Sequence, residues 1–138
     1  MKPIDWRQVE RNYVQAECRN ALLSLQDNYG VDVNLALLAL YCDQQQLAIS
    51  ACCWPKLLAT SAHWQQRLAP LRVIRRTAKH LTPQQYQRIL AMELALERQL
   101  QQQLTPLLRF SESAQSNLER LGQCYDNAAI AASLNPFL

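Results

Sequence analysis

Glycine, long apolar runs and signal-peptide features are scarce or absent in this sequence. Two of its 138 residues are glycine, whereas glutamine occurs 17 times. That bias favours α-helices over β-structure, because glutamine is a good helix former and glycine is not. No apolar run approaches the roughly 18 residues of a membrane-spanning helix, and the N-terminus has no apolar signal core. We therefore expect a helical protein that remains in the cytoplasm and has no membrane partner.

Clusters of metal ligands are also missing from the sequence. No Cys-x-x-Cys pair occurs and the two histidines are far apart, whereas zinc and iron–sulfur sites gather their ligands at short spacings. The odd number of cysteines and the adjacent pair indicate reduced thiols. We predict no metal and no cofactor, and we interpret the cysteines as small buried apolar residues. They are Cys18, Cys42, Cys52, Cys53 and Cys124.

Acidic residues are absent from the middle of the chain. Residues 44–92 contain seven basic residues and no Asp or Glu, while residues 1–43 and residues 93–138 each carry a net charge of −2. This distribution favours ion pairs between the segments, although the basic middle would also suit an external anion. Nucleic acid is not the favoured partner, because the basic stripe has no interleaved aromatic side chains; the stripe consists of Arg67, Arg72, Arg75, Arg76 and Lys79.

A segment that is apolar on every side lies in the first third of the chain. It runs from Val33 to Tyr41 and contains one polar residue, Asn34. A helix of this kind is normally buried all round, and either Asp32 or Asn34 can cap its start. We therefore predict one all-α domain over residues 1–138, with five or six helices around Val33–Tyr41 and a short loose tail.

Cap and breaker residues place the other helices around this central one. The first helix is expected to begin after Asp5, to break near Asn12 and to end at Gly30, which adopts a left-handed φ without strain. Thr82 has the sequence context of an N-cap, and Pro70 should bend the helix that contains it. The four remaining helices are predicted over residues 47–54 (ended by Pro55), 62–80 (capped by Thr60 or Ser61), 83–104 and 112–133.

Two acidic residues interrupt the apolar stripe of the helix over residues 83–104. Glu93 and Glu97 fall one turn apart on the face that the leucines form, where an unpaired buried charge is costly. On the preceding helix, Arg72 flanks the apolar side, Arg75 lies at its border and Arg76 points farther out. We therefore predict that the first two arginines pair with the two carboxylates across an antiparallel helix hairpin.

The same residues could instead line a polar pocket, because facing side chains in a helical bundle can bind a small ligand or an anion. Catalysis is not favoured. The two carboxylates are close enough for one pKa to rise, but the arginines oppose that rise and no nucleophile or histidine accompanies them, so we assign no catalytic residues. The candidate ligand-binding or buried polar network comprises Asp32, Asn34, Arg72, Arg75, Arg76, Glu93 and Glu97.

Two segments carry a resemblance to known sequences. Residues 30–35 have the pattern Gly-x-Asp-Val-Asn-Leu, and residues 70–76 have the pattern Pro-Leu-Arg-x-x-Arg-Arg. With the residues around them, about residues 4–100 resemble a family of short bacterial proteins known only as an uncharacterised domain of unknown function. The resemblance implies a cytoplasmic, helical, bacterial protein, and it supplies no established activity.

Two hypotheses about function stay open. The first is a non-enzymatic interaction module that engages an unknown protein partner through an exposed groove or the Gln-rich C-terminal region; a homo-oligomer stays open as well. The second is a small-ligand or anion-binding helical protein. A pocket lined by the charged residues would favour the second hypothesis, whereas a solid core with an exposed apolar patch would favour the first.

Overall fold

The computed structural model describes residues 4–77, 80–112 and 115–138, and the all-α class predicted from the sequence is confirmed. Three short 3-10 helices and one isolated β-bridge complete the described secondary structure. None of the described helices combines the length and apolar character that a membrane crossing demands. The α-helices are α1 (Trp6–Val14), α2 (Ala16–Tyr29), α3 (Val33–Gln44), α4 (Trp54–Thr77), α5 (Pro83–Leu104), α6 (Asn117–Cys124) and α7 (Ala129–Leu134).

The first two helices follow the predicted caps, with a small shift in the break between them. The Asp5 carboxylate accepts a hydrogen bond from the Arg7 N–H at 3.0 Å and so begins α1. The chain leaves helical geometry at Gln15, three residues later than expected, because Asn12 still belongs to α1. Gly30, with φ 68°, ends α2 and donates its N–H to the carbonyls of the last turn.

Helix α3 is the buried centre of the molecule, as its composition predicts. Every residue from Leu35 to Leu40 is buried, and α1, α2 and α6 pack around this helix. Each leucine that is fully removed from water contributes roughly 2 kcal/mol to the hydrophobic stabilisation. Of the two candidate caps, Asp32 is the one used, since its carboxylate accepts the Asn34 N–H at 2.9 Å.

Residues 47–50 are extended and residues 51–53 form a 3-10 helix, so the predicted α-helix over residues 47–54 is wrong. Ile49 forms an antiparallel β-bridge with Phe110. Two backbone hydrogen bonds flank the bridge: the Ser50 N–H donates to the Arg109 carbonyl at 2.7 Å, and a second bond of 2.9 Å joins residues 111 and 48. Pairing with a segment some sixty positions away overrides the local helical signal. Pro55 consequently lies in the first turn of α4, where its missing N–H costs nothing.

Helices α4 and α5 form an antiparallel hairpin with a longer first arm than predicted. Ser61 lies inside the continuous helix α4 and does not cap a new one, because its hydroxyl donates to the buried Asp32 carboxylate instead. Pro70 lies within α4 as expected. Thr82 begins α5 with the predicted capping box, in which its hydroxyl accepts the Gln85 N–H at 3.2 Å. The predicted last turn of α4, at residues 78–79, lies outside the described residues.

The hairpin has an inner half packed on the core and an outer half that projects from it. The inner half, residues 54–68 and 93–104, contains the buried apolar side chains of both helices, such as Leu57 and Leu100. The outer half, residues 69–77 and 83–92, exposes Val73 by 59% and Met92 by 54%. The outer half therefore contributes no fully buried apolar side chain to the core.

The single helix predicted over residues 112–133 is divided into α6 and α7 by a turn. Asp126 in that turn has a φ of 50°, which a continuous helix does not contain. Ser116 caps α6, and the carboxylate of Asp43 in α3 accepts the first two N–H groups of α6 at 2.8 and 3.0 Å. At the C-terminus, residues 135–137 form a 3-10 helix and Phe137 packs against the core.

Candidate functional site

A groove lies where α1, α2 and α3 meet the α4–α5 hairpin; we refer to it as the hairpin groove. Its volume is about 530 Å³, which falls within the roughly 300–1,000 Å³ of sites that bind small molecules. All five helices contribute side chains to the lining. The apolar part of the lining consists of Val14, Leu23, Val33, Leu37, Leu90 and Leu94.

Five of the seven residues that the sequence singled out line this groove, and two do not. Asp32 is 4% exposed and lies beneath the groove at the start of α3. Arg76 is on the outside of the hairpin, where its guanidinium is 3.4 Å from the exposed carboxylate of Asp27. The five residues that the fold brings together are Asn34, Arg72, Arg75, Glu93 and Glu97.

Arg75 and Glu93 form the tighter of the two ion pairs between α4 and α5. The Arg75 Nε donates to the Glu93 Oε1 at 2.7 Å, a distance typical of a charge-assisted hydrogen bond. Glu93 is 7% exposed, so its carboxylate depends on this partner. The hydrogen bond to Glu93 raises the pKa of Arg75 and thereby keeps the guanidinium charged. The pair explains how an acidic residue occupies the apolar stripe of α5.

Arg72 and Glu97 form a looser pair one turn closer to the core. The Arg72 Nη2 is 3.8 Å from the Glu97 Oε1, too long for a hydrogen bond. The same guanidinium donates through Nη1 to the side-chain oxygen of Gln65 on its own helix. Arg72 is thus shared between an amide and a carboxylate, and the Glu97 side chain is 34% exposed.

The surroundings of Glu97 make its charged form less favourable than that of an exposed glutamate. Burial is the main cause that raises the pKa of Glu97 above its ordinary value. Three nearby carboxylates, those of Asp32, Glu93 and Glu10, raise it further, and Arg72 lowers it without cancelling the rise. Glu97 is therefore the carboxylate of the groove whose charge would gain most from an additional positive partner.

Asp32 connects three elements and has a structural role. Its carboxylate accepts the Ser61 hydroxyl of α4 and the Asn34 N–H of α3, and its own N–H donates to the Tyr125 hydroxyl at 3.4 Å. Burial raises the pKa of Asp32, and the hydrogen bond from Ser61 opposes that rise. These bonds hold the start of α3 against α4 and the turn after α6, and they leave Asp32 unavailable to a ligand.

Gln101 and Glu10 belong to the site but were missed by the sequence reasoning. The Gln101 side-chain amide donates to the Glu10 Oε1 at 2.7 Å and to the Asn34 side-chain oxygen at 3.2 Å. A signal for Gln101 exists, because it follows Glu97 by four residues and so continues the polar interruption of the α5 stripe. Glu10 had no such signal, since only the tertiary fold brings α1 beside α5.

The five cysteines are free thiols. The expectation that they are small buried residues holds for three of them and is wrong for Cys52 and Cys124, which are exposed. Burial raises the pKa of Cys42 to about 12, so this thiol stays protonated. Over the described ranges, no three His, Cys, Asp or Glu side chains converge in a group that could hold a metal ion.

Comparisons with known proteins find a family but no characterised relative. A family model described as "Protein of unknown function (DUF2390)" matches residues 5–104. No curated protein and no solved structure matches the chain. The matched range ends at the last residue of α5 and therefore contains every residue that lines the hairpin groove.

Proposed function

The chain belongs to this DUF2390 family, and we propose that it is a non-enzymatic protein that binds a small molecule in the hairpin groove. The groove itself carries the proposal. It combines a volume of about 530 Å³ with an apolar lining and a few fixed polar groups, which is the usual composition of a small-molecule site.

The ion pairs of the hairpin support the proposal, because they hold the polar groups of the groove in place. Arg75 is fixed by its short bond to Glu93, and Asn34 is fixed by the amide of the buried Gln101. A site whose side chains are already ordered loses less conformational entropy on binding. The arrangement therefore favours recognition of one ligand over loose association with many.

The cysteine pattern of the sequence supports a reducing compartment as the place where the protein works. The chain has five cysteines, an odd number, and Cys52 and Cys53 are adjacent, a pattern that does not suit a framework of disulfides. We propose the bacterial cytoplasm on this ground and on the family resemblance. The small molecule would then be a cytoplasmic metabolite.

A thermal-shift screen of a metabolite library would test the groove directly. Leu94→Trp places a large side chain in the groove at a position that is 47% exposed, so the fold should tolerate it. Met92→Trp is the matched control, because Met92 is 54% exposed on the same helix and does not line the groove. We expect compounds that stabilise the wild-type protein and Met92→Trp but not Leu94→Trp. Hits that stabilise all three proteins equally would contradict the proposal.

The outer half of the hairpin supports a second candidate, a protein-interaction module. Val73, Ile74 and Tyr86 are exposed by 59%, 45% and 38%, and residues 44–92 contain no acidic residue. An exposed apolar surface with basic surroundings suits a partner that carries apolar and acidic side chains. A second copy of the chain is an alternative occupant.

Site-specific photo-crosslinking in the native host would test this second candidate. A photoreactive amino acid at Ile74 should capture one partner in high yield, whereas the same amino acid at the exposed Ala132 of α7 should not. Sedimentation at several concentrations would identify a self-association. Equal capture from both positions would contradict a specific interaction surface on the hairpin.

Nucleic acid is not proposed as a partner, because most arginines of the basic stripe already have internal partners. The two groove arginines face carboxylates. Arg76 pairs with Asp27, and the Arg67 guanidinium lies 4.8 Å from the centre of the Trp64 ring. Few charges on this stripe therefore remain to contact phosphates, and Lys79 lies outside the described residues.

A further inference from the structure

The lining of the hairpin groove carries more negative than positive charge. Glu10, Glu93 and Glu97 contribute three carboxylates, while Arg72 and Arg75 contribute two guanidinium groups. Within the described lining, the groove therefore has an excess of one negative charge. An anion that entered would meet like charge, whereas a cation would restore the balance.

The two arginines are already engaged, and one carboxylate is held only loosely. Arg75 is 2.7 Å from Glu93, so this pair leaves little capacity for a ligand. Arg72 donates to Gln65 and lies 3.8 Å from Glu97. Charge-assisted N–H···O bonds are typically about 2.7–2.9 Å long, so Glu97 retains the capacity to accept a closer and stronger donor.

The groups that face Glu97 come from several elements, and most of them are acidic. Glu10 belongs to α1, as does Tyr13, Asp32 precedes α3 and Glu93 belongs to α5, whereas α4 supplies Arg72. Burial and these carboxylates raise the pKa of Glu97. A bound cation would offset the repulsion and hold Glu97 in its charged form.

We propose that the hairpin groove binds an organic cation, an ammonium or guanidinium group on an apolar body, with Glu97 as its principal carboxylate. The inference rests on the proposed small-molecule function and names the ligand class. The charged group meets Glu97 and Glu10, while the apolar body contacts Leu23, Leu37 and Leu94 on the walls. Burial of that body supplies affinity, and the carboxylates supply the selectivity for positive charge.

Three probes with the same aromatic body and different charge would test the ligand class. Tryptamine is a cation, tryptophol is neutral and indole-3-acetate is an anion at neutral pH. Titration calorimetry would give the affinities, and backbone amide NMR shifts would locate each probe. We expect tryptamine to bind in the groove about tenfold or more tightly than tryptophol, the size of one charge-assisted contact, and indole-3-acetate to bind weakest.

Variants of single carboxylates would assign the receptor. Glu97→Gln keeps the shape of the side chain and removes its charge, so tryptamine affinity should fall about tenfold. Glu17→Gln, at an exposed position of α2 outside the groove, is the matched control and should bind like wild-type protein. Circular dichroism would verify that both variants are folded. Tryptamine affinity of the wild-type protein should also fall when acid protonates Glu97.

Each result separates the ligand class from the proposed function. Equal affinity of tryptophol or indole-3-acetate in the groove would overturn the cation inference while groove binding stands. Equal binding of tryptamine by wild-type protein and Glu97→Gln, or by Leu94→Trp, would also overturn it. If none of the three probes shifts groove resonances, the cation inference fails, and the metabolite screen with Leu94→Trp alone decides the proposed function.

Discussion

The two halves of the α4–α5 hairpin contain similar apolar residues, which are buried in the inner half and largely exposed in the outer half. In the inner half, Leu57 and Leu100 are fully buried against the core. In the outer half, Val73 and Ile74 are exposed by 59% and 45%, although they lie in the same helix as Leu57. The inner half therefore contributes buried apolar area to the core, whereas the outer half leaves much of its apolar surface exposed.

The ion pairs mark the boundary between the two halves. Glu93 begins the inner half and is nearly buried, and Arg75 of the outer half bonds to it at 2.7 Å. Arg76, the next residue, points the other way and meets the exposed Asp27. Arg75 and Arg76 are adjacent in α4, yet the first forms a partly buried ion pair and the second a surface pair. Burial, rather than the identity of the charged residues, determines how much stability is lost when each ion pair is broken.

The largest expected effect compares one substitution at a buried and an exposed leucine. Leu38→Ala removes a side chain that is 1% exposed in α3 and should lower the free energy of unfolding by about 3–4 kcal/mol. Leu94→Ala, at 47% exposure in α5, should cost about 1 kcal/mol or less. Equilibrium urea unfolding of both variants measures the difference. Similar losses would mean that the hairpin surface contributes to the core after all.

The next effect compares the buried and the exposed ion pair. Glu93→Ala leaves the partly buried Arg75 without its carboxylate and should cost about 2–3 kcal/mol, between the values for exposed and fully buried pairs. Asp27→Ala breaks the pair with Arg76, in which both side chains are more than half exposed, and should change stability by less than about 0.5 kcal/mol. Equilibrium urea unfolding measures both effects. A loss below about 0.5 kcal/mol for Glu93→Ala would show that the Arg75 guanidinium is hydrated once its carboxylate partner is removed.

The smallest effect concerns the pH dependence that Glu97 gives to stability. The pKa of Glu97 is raised in the folded protein above its ordinary value of 4.5. The folded state therefore binds the Glu97 proton more tightly than the unfolded state does. The stability that this difference contributes is complete below the ordinary pKa and is lost as the pH rises through the raised pKa. Asp32, with a raised pKa as well, acts in the same direction.

Glu97→Gln would isolate this contribution, because glutamine stays neutral at every pH. The free energy of unfolding of the variant, minus that of wild-type protein, should increase from pH 4 toward pH 7. Glu17→Gln, at an exposed site, is the control and should show no such trend. A difference that decreases toward pH 7 would show that the pair with Arg72 outweighs the burial of Glu97.

Much of the fold follows from local sequence signals. The apolar segment at residues 33–41 predicts the central helix, and Gly30 and Thr82 mark helix ends correctly. Two of the errors share a physical cause, which is a partner distant in sequence. Residues 47–50 are extended because they pair with residues 109–111. Helix α6 begins where it does partly because Asp43, far along the chain, accepts its first N–H groups.

The site was predictable in its charged half and not in its apolar half. Glu93 and Glu97 break an apolar stripe, which signals partners on the neighbouring helix, and the structure places Arg72 and Arg75 opposite them. The groove itself could not be predicted. It depends on the distance between the hairpin and α1, and on how Glu10 is oriented toward Gln101. Both are consequences of packing rather than of spacing along the chain.

The β-bridge between Ile49 and Phe110 closes the base of the hairpin, so the chain leaves and rejoins the core at adjacent points. The hairpin is thus a long excursion of the chain whose two ends are fixed side by side. Its outer turns can lengthen or shorten in pairs without separating the two segments that the bridge joins.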